Sequence, residues 1–218
     1  ACYLRPLVFL GYGNLGVMPT NSPTDVAVIA VPWGTLHGDN ALEHGVDVGV
    51  SSWRRMAPDT HPAMAKAVGN YVNSLMVIRE ARRHGYQEGI VLDVDGYVSE
   101  GSGENIYVVH EGEVYTPPLG GSILPGITRG FVLELLADFG IPVRQQRFSR
   151  EMLYIADEVF MSGTAAEITP VRTVDALPVG TGVPGPITKR VQADFFGIVR
   201  GEVPDRHGWL HFVQRENR

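Results

Sequence analysis

The chain has 218 residues, a net charge of −6 and 44% apolar residues. That is enough apolar material for a sizeable core, and an acidic balance with no basic block excludes nucleic acid as the main partner. A single cysteine, Cys2, excludes an internal disulfide framework and fits a reducing cytoplasm, and no apolar run or signal-peptide pattern points to a membrane or to export.

Residues 3–10 read as a strand that Pro6 interrupts or places at a sheet edge. The chain opens without Met and inside this strand pattern, so residues upstream are expected. Gly11, Gly13 and Gly16 make a flexible turn before Val17. Residues 25–32 are a short apolar run, expected as a buried strand. Residues 34–40 turn to Gly, His, Asp and Asn, a candidate linker or crossover. Gly45 to Trp53 reads as a strand with Val46, Val48 and Val50 on one face.

Met64 to His84 carries helical spacing: Tyr71, Leu75 and Ile78 make one stripe, and Val68, Val72 and Met76 another. Lys66 is expected at or just before the start of this helix. Arg82, Arg83 and His84 suit its last turn, and Gly85 is a natural stop. Residues 89–94 and 97–100 read as strands joined at Asp95-Gly96, a strong hairpin signal. Strands follow at 105–110 and 114–116, turned by Glu111-Gly112. A glycine loop opens a helix at about Thr128 that runs to Gly140. Residues 141–148 read as a strand, and Ser149 as the N-cap of a short helix ending near Ala156. Strands are expected at 158–162 and 168–174. Pro186 starts the last helix, to about Arg200. Strands outnumber helices and come as hairpins, so the class is α+β, not a doubly wound parallel sheet.

Four stretches carry chemistry. Only two of the 18 Lys and Arg residues are lysine, Lys66 and Lys189, so lysine is not generic surface charge here. Lys66 has small or apolar neighbours and Tyr71 five residues on. A lysine in a partly apolar pocket loses its proton more easily, which a Schiff base requires. A surface lysine with a buried stem has the same local pattern. Glu100, in Ser-Glu-Gly-Ser-Gly-Glu-Asn, can hold a protonated ring nitrogen as an ion pair, or simply fill a polar bulge. Leu124-Pro-Gly-Ile-Thr-Arg129 feeds a helix whose first N–H groups, on Ile127 and Thr128, can face an anion. Ser162-Gly-Thr-Ala-Ala166 ends a strand in small residues with free N–H groups. Together these supply an amine, a carboxylate and two anion nests, the parts of a pyridoxal phosphate site. Lys189 sits in a charged helical turn and needs no chemistry, and Asn105 reads as a structural hydrogen-bonder.

With these stretches in order the chain resembles a branched-chain amino acid aminotransferase, a fold-type IV pyridoxal phosphate enzyme. The likeness is carried by Tyr-Leu-Arg-Pro at 3–6, Val-Ser-Ser-Trp-Arg-Arg at 50–55, Ala-Lys-Ala-Val-Gly-Asn-Tyr at 65–71, Ser-Glu-Gly-Ser-Gly-Glu-Asn at 99–105, Leu-Pro-Gly-Ile-Thr-Arg at 124–129, residues 156–171 and Gly-Pro-Ile-Thr-Lys-Arg at 185–190. It implies that residues 1–34 are the remnant of a small N-terminal domain, 35–43 an interdomain linker and 44–218 the large cofactor-binding domain. It implies transfer of an amino group from Leu, Ile or Val to 2-oxoglutarate, in the cytoplasm, by a homodimer or higher homo-oligomer that needs no metal, nucleic acid or membrane.

The resemblance also assigns residues. Lys66 becomes the catalytic, cofactor-bound lysine, Tyr71 the partner of the cofactor's phenolic oxygen and Glu100 the partner of its ring nitrogen. Ile127, Thr128 and Thr164 become phosphate contacts. Thr164 and Ala165 donate to the substrate carboxylate, with Tyr3 and Arg5 near it. Leu15 and Val17 help form the apolar side-chain pocket across a dimer interface. The sequence departs from the family in lacking an upstream phosphate-binding arginine, and in Leu36 and Val68, where many members have tyrosine and glycine. The alternatives are another fold-type IV enzyme (a D-amino acid or amine transaminase, or aminodeoxychorismate lyase) or an inactive truncated fragment.

Overall fold

The computed structural model describes residues 2–38 and 40–212. It divides into two units, Ala1–Asp39 and Asn40–Arg218. The first is an antiparallel ribbon. Strand β1 (Cys2–Leu10) pairs with β2 (Thr24–Pro32) from Cys2 opposite Pro32 to Leu10 opposite Thr24. Pro6 is tolerated because a ribbon strand turns one hydrogen-bonding edge outward. The buried strand expected over 25–32 is instead exposed at Val26, Val28 and Ile29. An apolar run is buried only where both faces are covered, and two strands cannot cover their own faces.

The second unit is built on one mixed sheet. Its strands are β3 (Val46–Arg54), β4 (Glu88–Leu92), β5 (Val98–Gly101), β6 (Asn105–His110), β7 (Glu113–Thr116), β8 (Val143–Gln145), β9 (Glu158–Gly163), β10 (Glu167–Val174) and β11 (Leu177–Pro178). The order is β5-β4-β3-β10-β9-β6-β7-β8, with β11 beside β10. β3 runs parallel to β4 and to β10, and β7 parallel to β8; the other pairs are antiparallel.

Period-two alternation gives this sheet two buried faces. On β6, Ile106 and Val108 join a core with Val46, Val48, Ile90, Met161 and Leu153. Tyr107 and Val109 face the other way, into a core with Phe160, Leu135, Leu136, Val191 and Ile198. The second core is closed by α3 (Ile127–Asp138) and α4 (Pro186–Val199). A short α1 (Ala41–His44) precedes β3. Pro186 does open α4, where its missing N–H costs nothing. The first turn of α4 is capped from a distance. Glu158 on β9 accepts from Ile187 N at 3.0 Å and from Thr188 N at 2.7 Å.

Three expected elements change. The helix expected from Met64 begins later: α2 runs Tyr71–Arg83, behind a single 3-10 turn at Val68–Asn70. Its buried residues are Val77 and Ala81, and Val72 and Leu75 stay exposed. Gly89 on β4 sets this face, since a Cβ there would lie 2.7 Å from Val77 Cγ1. The strand expected over 141–148 shrinks to β8, and Phe148 leaves the ladder to fill the first core. Arg150–Leu153 forms only a 3-10 turn, and Ser149 precedes it without capping it through its side chain. Gly85, with φ +86°, ends α2 as expected.

Candidate active site

The site grows from the ends of β5, β6 and β9, where the sheet gives way to loops. One cleft of about 290 Å³ opens there. Lys66, Tyr71, Glu100, Ile127, Thr128 and Thr164 all line it, though they are spread widely along the chain. Lys66 Nζ lies 5.9 Å from the centre of the Tyr71 ring. The Lys66 side chain is exposed on the loop before α2.

Glu100 sits at the floor, 2% exposed. Oε1 accepts from Arg55 Nη2. Oε2 accepts from Leu124 N at 3.1 Å and from Asn105 Nδ2 at 3.4 Å. Burial pushes this carboxyl upward, and the Arg55 guanidinium and the Leu124 N–H pull against it. Asn105 is structural, as its sequence context suggests. Its Nδ2 also holds Leu124 O at 2.9 Å, so the acid and the glycine loop are tied together. Gly126 allows this close approach, because a Cβ there would collide with Asn105 Oδ1.

Helix α3 starts at Ile127 with Gly126 as an N-cap that has no side-chain bond. The first N–H groups of a helix lack intrahelical partners and carry the positive end of its dipole. Thr128 is buried beside them, 7% exposed. Across the cleft, Gly163 and Thr164 close the turn from β9 to β10, and Ala165 follows, half-buried. Tyr3, Arg5, Leu15 and Val17 belong to the other unit. There the Arg5 guanidinium lies 5.1 Å from the centre of the Tyr3 ring, and Leu15 and Val17 are wholly exposed.

Two lining residues escape a reading from motifs. Arg55 is buried, 7% exposed, and reaches the cleft from the end of β3. Asn70 is buried too, and its Nδ2 donates to Pro62 O at 3.1 Å and to Ala65 O at 3.0 Å, pinning the loop that carries Lys66. Neither carries a local signal of its role: the partner of Arg55 is 45 residues away, and Asn70 acts on a loop whose shape is set in the fold.

An exposed amine, a buried carboxylate and an uncapped helix start around one cleft form a donor set that suits an aldehyde cofactor with a basic ring nitrogen and a phosphate. The comparisons agree. Residues 1–174 match the model of amino-transferase class IV. The chain is 57% identical over 216 residues to the branched-chain-amino-acid aminotransferase of Escherichia coli strain K12, covering 99% of this chain and 70% of that one. It is 39% identical over 214 residues to the enzyme of that name from Pseudomonas aeruginosa, covering 98% and 69%. It superposes on a crystal structure of the Escherichia coli branched-chain amino acid aminotransferase with TM-score 0.93 at 58% identity, covering 95% of this chain and 69% of that one. The T.th. branched-chain amino acid aminotransferase complexed with N-(5′-phosphopyridoxyl)-L-glutamate gives TM-score 0.90 at 42% identity, covering 98% and 69%. On the family match and these identities, the chain belongs to the amino-transferase class IV family.

Proposed function

We propose that this chain carries out transamination between a branched-chain L-amino acid (Leu, Ile or Val) and 2-oxoglutarate, giving the branched 2-oxo acid and L-glutamate, with pyridoxal 5′-phosphate as cofactor. The observation that carries it is the convergence of Lys66, Glu100 and the start of α3 on one cleft, in a chain 57% identical to an enzyme of that name. When bound, the cofactor supplies a carbonyl carbon for an amine and a ring that draws electrons from the substrate α-carbon.

The chain's own residues do the rest. Lys66 would hold the cofactor through its amine and would carry the proton to and from the substrate α-carbon. Tyr71, beside Lys66, orients the ring's phenolic oxygen. Glu100 holds a proton on the ring nitrogen from the buried floor. The N–H groups of Ile127 and Thr128, the Thr128 hydroxyl and Thr164 receive the phosphate. Thr164 and Ala165 offer N–H donors to the substrate carboxylate. Tyr3, Arg5, Leu15 and Val17 remain assigned to substrate recognition by the likeness of their stretches alone. A homodimer or larger homo-oligomer in the cytoplasm completes the reading, and the exposed free Cys2 suits that reducing compartment. Among the described residues no helix is long and apolar enough to cross a membrane.

The deciding experiment is borohydride reduction of the chain with pyridoxal phosphate, followed by peptide mass analysis. A pyridoxyl group on Lys66 with little on Lys189 is the expected result. Equal labelling of the two lysines would overturn the assignment.

A further inference from the structure

The two carboxylate oxygens of Glu100 are held very differently. Oε2 meets neutral donors, the Leu124 N–H and the Asn105 amide. Oε1 meets the guanidinium of Arg55, whose side chain is 7% exposed against 3% for Glu100. Arg55 is itself aimed by α2. Its Nη1 donates to Asn73 Oδ1 at 3.1 Å, and Asn73 Nδ2 returns to Arg54 O at 2.9 Å. The guanidinium therefore cannot swing away from the acid without breaking a second bond. Among the described residues its buried Nε has no hydrogen-bond partner.

We propose that Arg55 is a positioning residue that fixes Glu100 as an anion in one plane at the cleft floor, ready to receive a ring N–H. The proposal rests on the functional reading above and deepens it. Of the charged groups facing Glu100, Glu104 opposes its ionisation and Arg55 favours it. Lys66 and Tyr71 share the cleft but make no hydrogen bond to the acid. An arginine is not deprotonated in proteins. A neutral Glu100 would leave that cation buried and unpaired, which is the worse state. The pair thus stays ionised although burial acts against the carboxyl. Without Arg55, burial and Glu104 are opposed only by the neutral donors Leu124 N–H and Asn105 Nδ2, the acid takes up a proton more readily and its hydrogen-bonding sense toward a ring nitrogen reverses.

The test needs no turnover. Protein labelled with 13C at the glutamate side-chain carboxyl is titrated by NMR without cofactor, the Glu100 signal being assigned by its loss in E100Q. In the native chain Glu100 is expected ionised throughout the neutral range. In R55M its midpoint is expected to rise by about two pH units or more, and R55K, which keeps the charge, should restore most of the native position. A midpoint in R55M within about half a unit of the native one would overturn the proposal. So would a Glu100 protonated at neutral pH in the native protein, an outcome that decides the matter even if R55M fails to fold. Pyridoxal phosphate uptake, followed by absorbance on the same native sample, separates the two readings. A shifted Glu100 in R55M with no uptake by native protein removes the cofactor assignment and leaves the role of Arg55. Uptake with an unshifted Glu100 does the reverse.

Discussion

Asn70 and Ala65 are bonded side chain to backbone, Nδ2 to O at 3.0 Å, across the residue that carries the candidate nucleophile. The same amide reaches Pro62 O at 3.1 Å. A loop without regular structure is thereby held from the inside by the residue just before α2. Asn70→Ala removes both bonds and leaves Ala65 O to find water, while Pro62 O keeps its bond from Ala65 N at 2.9 Å. It should cost about 1–2 kcal/mol of stability. It should also lower cofactor affinity about tenfold by freeing the Lys66 loop. Thermal unfolding and a pyridoxal phosphate titration on the same variant check the two effects.

Lys66→Ala leaves the cleft without its amine. Turnover of leucine with 2-oxoglutarate should fall by at least about a thousandfold. Because Lys66 is exposed, the folded structure should be indifferent to its loss, and the unfolding midpoint should move by less than about 2 °C. Retained turnover in a steady-state assay would end the assignment. Lys189→Ala is the matching control and should keep native turnover.

Gly126→Ala tests the link between the acid and the anion cradle. Its new Cβ would collide with Asn105 Oδ1, and Asn105 can yield only by releasing Leu124 O or Glu100. Overpacking of this kind costs about 1–3 kcal/mol. Affinity for pyridoxal phosphate should fall about tenfold or more, whereas Gly103→Ala, with open space at its Cβ, should leave it unchanged. Equal affinity in both variants would show that the loop position does not matter.

Acid stability has a separate source. Asp47 on β3 accepts from Arg172 Nε at 3.0 Å and from Thr173 Oγ1 at 2.7 Å, both on β10. The bond from Arg172 holds its carboxyl below the ordinary value of 3.8, against the opposing effect of burial and with help from Thr173. A depressed folded value contributes stability above the unfolded value and loses it as pH falls through the lower folded one. Asp47→Asn should therefore be less stable than the native chain at neutral pH, with the gap closing below about pH 4. Urea melts across that range measure the gap directly.

The residues that line the cleft were legible where local chemistry announced them. A rare lysine, a carboxylate among glycines and a glycine loop feeding a helix each carry their signal within a few positions. Arg55 was not, because its partner lies in the fold, Glu100 being 45 residues away, and Asn70 was not, because the loop carbonyls it binds come into reach only once that loop has its folded shape. The late start of α2 has the same origin. Met64 and Val68 keep helical spacing, but Ala67 is extended at φ −76°, ψ 137°, so the Lys66 loop cannot be helical. The exposure of β2 was hidden for a different reason. An apolar run records what a strand is suited to lie against, and among the described residues its partner strand, β1, pairs with it edge to edge.

The cap on α4 has a consequence for the order of events in folding. Its two oxygens belong to Glu158, on a strand at the centre of the sheet, and a Cβ at Gly185 would leave them no room. The last helix can therefore be completed at its start only after β9 has taken its place. The amides of Ile187 and Thr188 should exchange with solvent deuterium at the pace of sheet opening, not of helix fraying, and so serve as two backbone reporters on the integrity of the central strand.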